Sequence, residues 1–181
     1  MLVTVDGEAL AEIKQVARLE PMLAAEGAIA LLERISPALE HVDSSSGAIG
    51  SAVNRTIAEL VAVIAGAPAD ASTRAARLDR LFEAHAADQI PYIEQLAEYW
   101  GELCGSSALA SEWADRLIAI TRLALSSDKS TRGYFHGTSA CLSALVTAGR
   151  YEELIELVKN DVLWSYKRWA VRAYDGTRAT G

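Results

Sequence analysis

Cysteine is nearly absent from this chain of 181 residues, which holds Cys104 and Cys141 alone. Two thiols in apolar, helix-patterned surroundings do not make a disulfide framework; each reads as a small hydrophobe in a reducing compartment. Proline is scarce too, with four residues, so few positions interrupt a helix. Aromatic residues are 7% of the chain although 51% of it is hydrophobic; alanine supplies much of that surface, and its small contacts suit closely packed helices. Long apolar runs are missing. The longest uncharged one, LVAVIAGAPA from Leu60, is about half of the ~18 residues that read as a membrane span. The amino end, MLVTVDGEALAEI, has no basic residue before its apolar ones and meets Asp6 and Glu8 at once, unlike a secretory signal. These absences point to a soluble cytoplasmic protein with no membrane partner.

Positive charge is also in short supply, and unevenly so. Residues 1–128 carry 9 Lys/Arg against 19 Asp/Glu, whereas residues 129–181 carry 8 against 5. An acidic body argues against general nucleic-acid binding, because phosphate affinity needs a basic surface that releases counterions. The last third of the chain escapes that objection.

What is present is helical periodicity nearly throughout. Asp6 can cap a first helix with Leu10, Ile13 and Ala17 on one face, and Pro21 suits the first position of a second that runs through Ile35. Pro37 restarts or kinks the chain, and DSSSG at 43–47 reads as a loop. Ile49, Val53, Ile57, Leu60 and Ile64 form a stripe that Gly66 ends in a left-handed conformation. Leu78, Leu81, Phe82 and His85 share a face. Pro91 opens a helix with Ile93, Leu96, Trp100 and Leu103, closed by Gly105. Ser106 or Ser107 caps the next, with Leu109, Trp113, Leu117, Ile120 and Ala124 inward, and SSDKST at 126–131 is a turn. Phe135, Thr138, Cys141 or Leu142, and Leu145 follow up to Gly149, then a short helix from Tyr151, then Trp164 to Tyr174. Strand signal is confined to LVTV at the start. The class is all-α, with connections short enough for antiparallel neighbours. The expected division is an amino-terminal helical segment at 1–70, a repeat region at 71–174 and a flexible tail at 175–181, in one continuous domain.

Two stretches carry a resemblance. LSALVTAGRYEELIEL resembles the inner turn of tetratricopeptide-type hairpins, and SYKRWAVRAY is similar to helices of HEAT-type repeats. The region from Leu78 to Tyr174, with WGELC, WADRL, HGTSACLSAL and YKRWAV, resembles an uncharacterised bacterial α-helical repeat family. The resemblance implies antiparallel hairpins stacked as a short, irregular TPR/HEAT-like α-solenoid, and it carries no activity. No strict 34-residue period runs through the chain, and its first third resembles none of these. In such an array each hairpin buries its apolar stripe on a neighbour, so the last helix either folds back on the preceding hairpin or leaves a surface for oligomerisation through the carboxyl end.

Chemistry-bearing residues are thinly spread. His136 and Ser139 in HGTSAC share a helix face if one helix runs through both, which defines a cryptic hydrolase as one alternative. No third partner and no G-x-S-x-G elbow accompany them, and the small residues of this run have a simpler use in close helix packing. The three histidines, His41, His85 and His136, lie far apart, and only His85 with Asp88 could share a helix face. No metal or other cofactor is expected. Glu94, Glu98 and Glu102 fall at four-residue steps, a row that repels itself on an α-helix and could receive a basic partner. Trp164, Arg168 and Arg172 are also spaced by four, with Lys167 adjacent; Arg over Trp is worth roughly 0.5 to 1 kcal/mol when exposed. The expected function is a non-catalytic module that binds a protein or peptide through Trp164, Lys167, Arg168, Arg172, Glu94 and Glu98. The second alternative is a HEAT-like nucleic-acid binder using Lys167, Arg168 and Arg172.

Overall fold

The computed structural model describes residues 2–39, 48–128, 130, 132–159 and 164–180; for residues 2–6, 48–49, 164–165 and 177–180 it describes the backbone alone. Among these residues every regular element is helical and there is no strand. The loop at 43–47, His41 and part of the turn at 126–131 lie outside the described residues. The chain forms two compact units, Met1–Leu96 and Ala97–Gly181.

The first unit contains α1 (Leu2–Val16), α2 (Pro21–Leu39), α3 (Ala48–Gly66) and α4 (Ala71–Ala87). LVTV is the first turn of α1 and not a strand, so Asp6 lies inside the helix and not at its start. A four-residue β-prone run has no second strand to pair with, and helical continuation satisfies its backbone locally. Pro21 opens α2, where its missing N–H and fixed φ cost little. The helix then runs past Ile35 to Leu39, with Pro37 in its last turns. Gly66 is the final residue of α3 without a left-handed φ; Pro68, which cannot continue a helix, follows two residues on. Asp70 caps α4, accepting from the Thr73 N–H at 2.7 Å.

α2 is the centre of this unit, packing against α1, α3 and α4. Its inward residues, from Ala24 through Ala28, Ile29 and Leu32 to Ile35, are at most 3% exposed. A charged ladder ties α2 to α4. Glu26 takes hydrogen bonds from Arg77 Nε and Arg80 Nη1, both at 2.8 Å, and Glu33 takes a fork from Arg80 at 2.9 Å. Burial pushes the Glu26 carboxyl up, but the two guanidiniums together outweigh it and hold it below its ordinary value. The segment from 71 therefore belongs with α2.

The second unit contains the end of a 3₁₀ segment, Glu94–Tyr99, then α5 (Trp100–Cys104), α6 (Ser107–Ala124), α7 (Thr138–Thr147), α8 (Tyr151–Val158) and α9 (Trp164–Thr180). Gly105 and Gly149 stop α5 and α7 at φ of 66° and 72°, where a side chain would strain the backbone. Ser106 caps α6. On α6 the inward position is Thr121, fully buried, and Ile120 is half exposed: the apolar stripe drifts around the helix because 3.6 residues per turn do not repeat every seven. α7 packs against α5, α6, α8 and α9. Its residues from Ala140 to Leu145 are all buried, the pattern of a helix covered all round. Helix α9 continues to Thr180, through the residues expected as a tail.

Within each unit the substantial helix pairings join helices one or two places apart in the chain. Two contacts fix the second unit. A Cβ at Gly101 would stand 2.0 Å from Thr147 Oγ1 and 2.6 Å from the Ser143 carbonyl oxygen, so α5 and α7 touch backbone to backbone. Arg150, ahead of α8, donates to Glu153 at 2.7 and 2.8 Å and to Asp115 at 2.6 Å, with further bonds to Ser111. The Gly-Arg-Tyr turn thereby clamps α8 onto α6.

Candidate partner-binding surfaces

The run HGTSAC is divided by a helix start. α7 begins at Thr138 and His136 lies in the turn before it, its ring tilted against Phe135 with centroids 5.0 Å apart. One helix does not run through both His136 and Ser139, so the spacing that would place them side by side does not apply. Cys141 is fully buried, and burial pushes its thiol up to about 11, against a smaller opposing influence of the Thr121 hydroxyl; a thiol so held is protonated at neutral pH and a poor nucleophile. Ser143 is a clip. Its Oγ donates to the Glu98 carbonyl at 2.8 Å and accepts from the Gly101 N–H at 2.9 Å, joining α7 to the 3₁₀ junction. Among the described residues no three His, Cys, Asp or Glu side chains lie together as a metal site. His85 is buried beside Phe82, and Asp88 accepts from Ser36 Oγ and the Ile93 N–H.

The glutamate row is broken. Glu94 and Glu98 sit in a 3₁₀ segment, where three residues make a turn and a four-residue step rotates by about a third of a turn. Glu94 is exposed in the first unit; Glu98, in the second, is about three-quarters buried and accepts from Arg168 Nη2 of α9. The fold thus brings Arg168 and Glu98, 70 residues apart, together as a pair. Trp169, 1% exposed, anchors α9, with the Arg172 guanidinium 4.5 Å and the Arg168 guanidinium 5.9 Å from its ring centroid. Lys167 and Arg172 are exposed. Trp164 opens α9, and its side chain lies outside the described residues. Facing outward on α9 are Val171 and Tyr174, 60% and 55% exposed.

Another cluster of exposed apolar residues lies at the α1–α2 corner. Leu19, Met22 and Leu23 are 84%, 43% and 57% exposed. A groove of about 350 Å³ runs between the two helices, floored by Ile13, Val16, Ala24 and Gly27, with Glu12 and Arg34 at its edge. A second cavity of about 480 Å³ adjoins Pro21, Met22, Glu26 and Arg77, and Leu23 walls both. The sequence carried a signal for this face. PMLAAEGAIALLERI is apolar over more of its circumference than one buried stripe needs: Ala24, Ala28, Ile29, Leu32 and Ile35 face inward, and Leu23 and Leu31 are left over.

Comparison with family models, curated proteins and solved structures finds no match for this chain.

Proposed function

We propose that this protein is a non-catalytic helical module that binds a protein or peptide segment, and that its helices stack as hairpins in a short, irregular TPR/HEAT-like array. The pairing of each helix with those one or two places along the chain supports the hairpin arrangement. The observation that carries the binding reading is the apolar groove between α1 and α2, bordered by the exposed Leu19, Met22 and Leu23. Scattered exposed leucines are ordinary, but a cluster beside a concave apolar floor is the form of surface that receives an amphipathic helix. The exposed face of α9, with Lys167 and Arg172, is a second surface for the same kind of partner.

Selection from a displayed library of helical peptides tests this. Peptides enriched on the wild-type protein should lose binding to Leu23→Asp, a substitution at an exposed position that leaves the core intact. Failure to enrich any peptide, or enrichment indifferent to Leu23 and to Lys167 and Arg172, removes the reading.

A further inference from the structure

The groove and the last helix match each other in chemistry. On α9, Lys167, Val171 and Tyr174 fall at i, i+4 and i+7, one outward face, with Asp175 beside it. Lys167 and Asp175 are eight residues apart, about 12 Å along the axis, so the exposed face carries a cation at one end, an anion at the other, and a β-branched and an aromatic side chain between. The α1–α2 groove is lined mostly by apolar residues, with one anion, Glu12 of α1, and one cation, Arg34 of α2, among them. Ala9 and Ala30 among its lining residues are small, which leaves room for a helix to come close. The wider charges agree. The first unit carries 14 Asp/Glu against 7 Lys/Arg, while α9 carries Lys167, Arg168, Arg172 and Arg178 against Asp175.

We infer that the outward face of α9 from one copy of this chain docks in the α1–α2 groove of a second copy, with Lys167 toward Glu12, Asp175 toward Arg34, and Val171 and Tyr174 on the apolar floor. This deepens the peptide-binding reading and rests on it, since it names the occupant of the same groove. The contact joins two different surfaces, so each bound copy still offers a free groove and a free α9, and assembly continues head to tail unless the copies close into a ring. One helix in one groove is a small interface, which makes the assembly concentration-dependent, and its charge pairs make it weaken with salt.

The test is complementation between two dead halves, read by sedimentation velocity on the full chain. Wild type should grow in mass beyond the monomer as concentration rises at low salt, and shrink when salt is added. Leu23→Asp and Val171→Asp, both at exposed positions, should each stay monomeric with far-UV spectra and melting temperatures like wild type. Their equimolar mixture should form a pair of twice the monomer mass and stop there, because only one intact groove and one intact α9 meet. Should either variant prove unstable, Glu12→Lys and Lys167→Glu replace them: each alone should dissociate the assembly, and the chain carrying both should regain it. A wild type that is monomeric at every concentration overturns the proposal, as does an assembling wild type whose two variants fail to complement. Selected peptides that still require Leu23 on a monomeric protein would leave the groove as a peptide site and reject only the second copy as its occupant.

Discussion

A single hydroxyl does more for the second unit than its place in a run of small residues suggests. Ser143 stands between the Gly101 N–H and the Glu98 carbonyl, two backbone groups that the change from 3₁₀ to α geometry leaves in need of partners. Ser143→Ala removes both bonds and creates no large void, so it should cost about 1 to 3 kcal/mol, measured as a lower urea midpoint with unchanged slope. Gly101 explains why the clip can form, since any side chain there would collide with Thr147. Cys141 makes the opposite point: a residue that looks reactive in the sequence is silenced by its surroundings. With its thiol pushed up to about 11, roughly one molecule in a thousand carries the thiolate at pH 8, and Cys104 is equally buried. Neither cysteine should react with a thiol reagent in the native protein, and both should react at once in denaturant.

At the level of elements, the parts legible in the sequence were those whose signal is local. Gly105, Ser106 and Gly149 mark helix ends by backbone conformation or capping, and the Leu109, Trp113, Leu117 stripe is periodic over several turns. The 3₁₀ segment at 94–99 was not legible, because Glu94, Glu98 and Glu102 fit an α-helix equally well until Ser143, 45 residues downstream from Glu98, claims its carbonyl. Arg150 is a similar case. Its place in a turn is readable, but its grip on Asp115 and Ser111 is a long-range fact. Hydrogen bonding to Arg150 holds the Glu153 carboxyl below its usual value. Arg150→Ala should therefore cost about 1 to 2 kcal/mol, a moderate figure because Glu153 and Asp115 are partly solvated, and Arg150→Lys should recover less than half of it, having no fork. Glu153 and Glu26 share a pH signature. Both are depressed in the folded protein from an ordinary value of 4.5, so the stability they contribute is complete above that value and is lost as pH falls through their lowered pKa values. Thermal melts from pH 6 downward should show a falling midpoint below about pH 4.5, and Arg150→Ala should flatten part of the fall.

Over the whole molecule, the division at Leu96 was hidden by a misleading boundary. AGAPADAS at 65–72 has the Gly, Pro and Ser content of a linker, yet it is the turn between α3 and α4, and α4 is bound to α2 by Arg77 and Arg80. The division between units falls inside the 3₁₀ segment, where no residue type announces it. Moving the boundary changes the electrostatics. The sequence split at 128 leaves a basic remainder, but the structural units carry 14 acidic against 7 basic residues in the first and 10 of each in the second. Neither unit has the net positive charge that draws a phosphate backbone. Within α9, Arg168 is paired to Glu98 and Arg172 lies over Trp169, so releasing either for a phosphate would sacrifice an existing contact. Fluorescence anisotropy at about 50 mM salt should accordingly detect no binding to single-stranded or duplex DNA, under conditions where a protein neutralising several phosphates binds measurably. Binding that weakens on Lys167→Ala or Arg172→Ala and falls steeply with salt would instead mean that these cations outweigh the acidic surroundings.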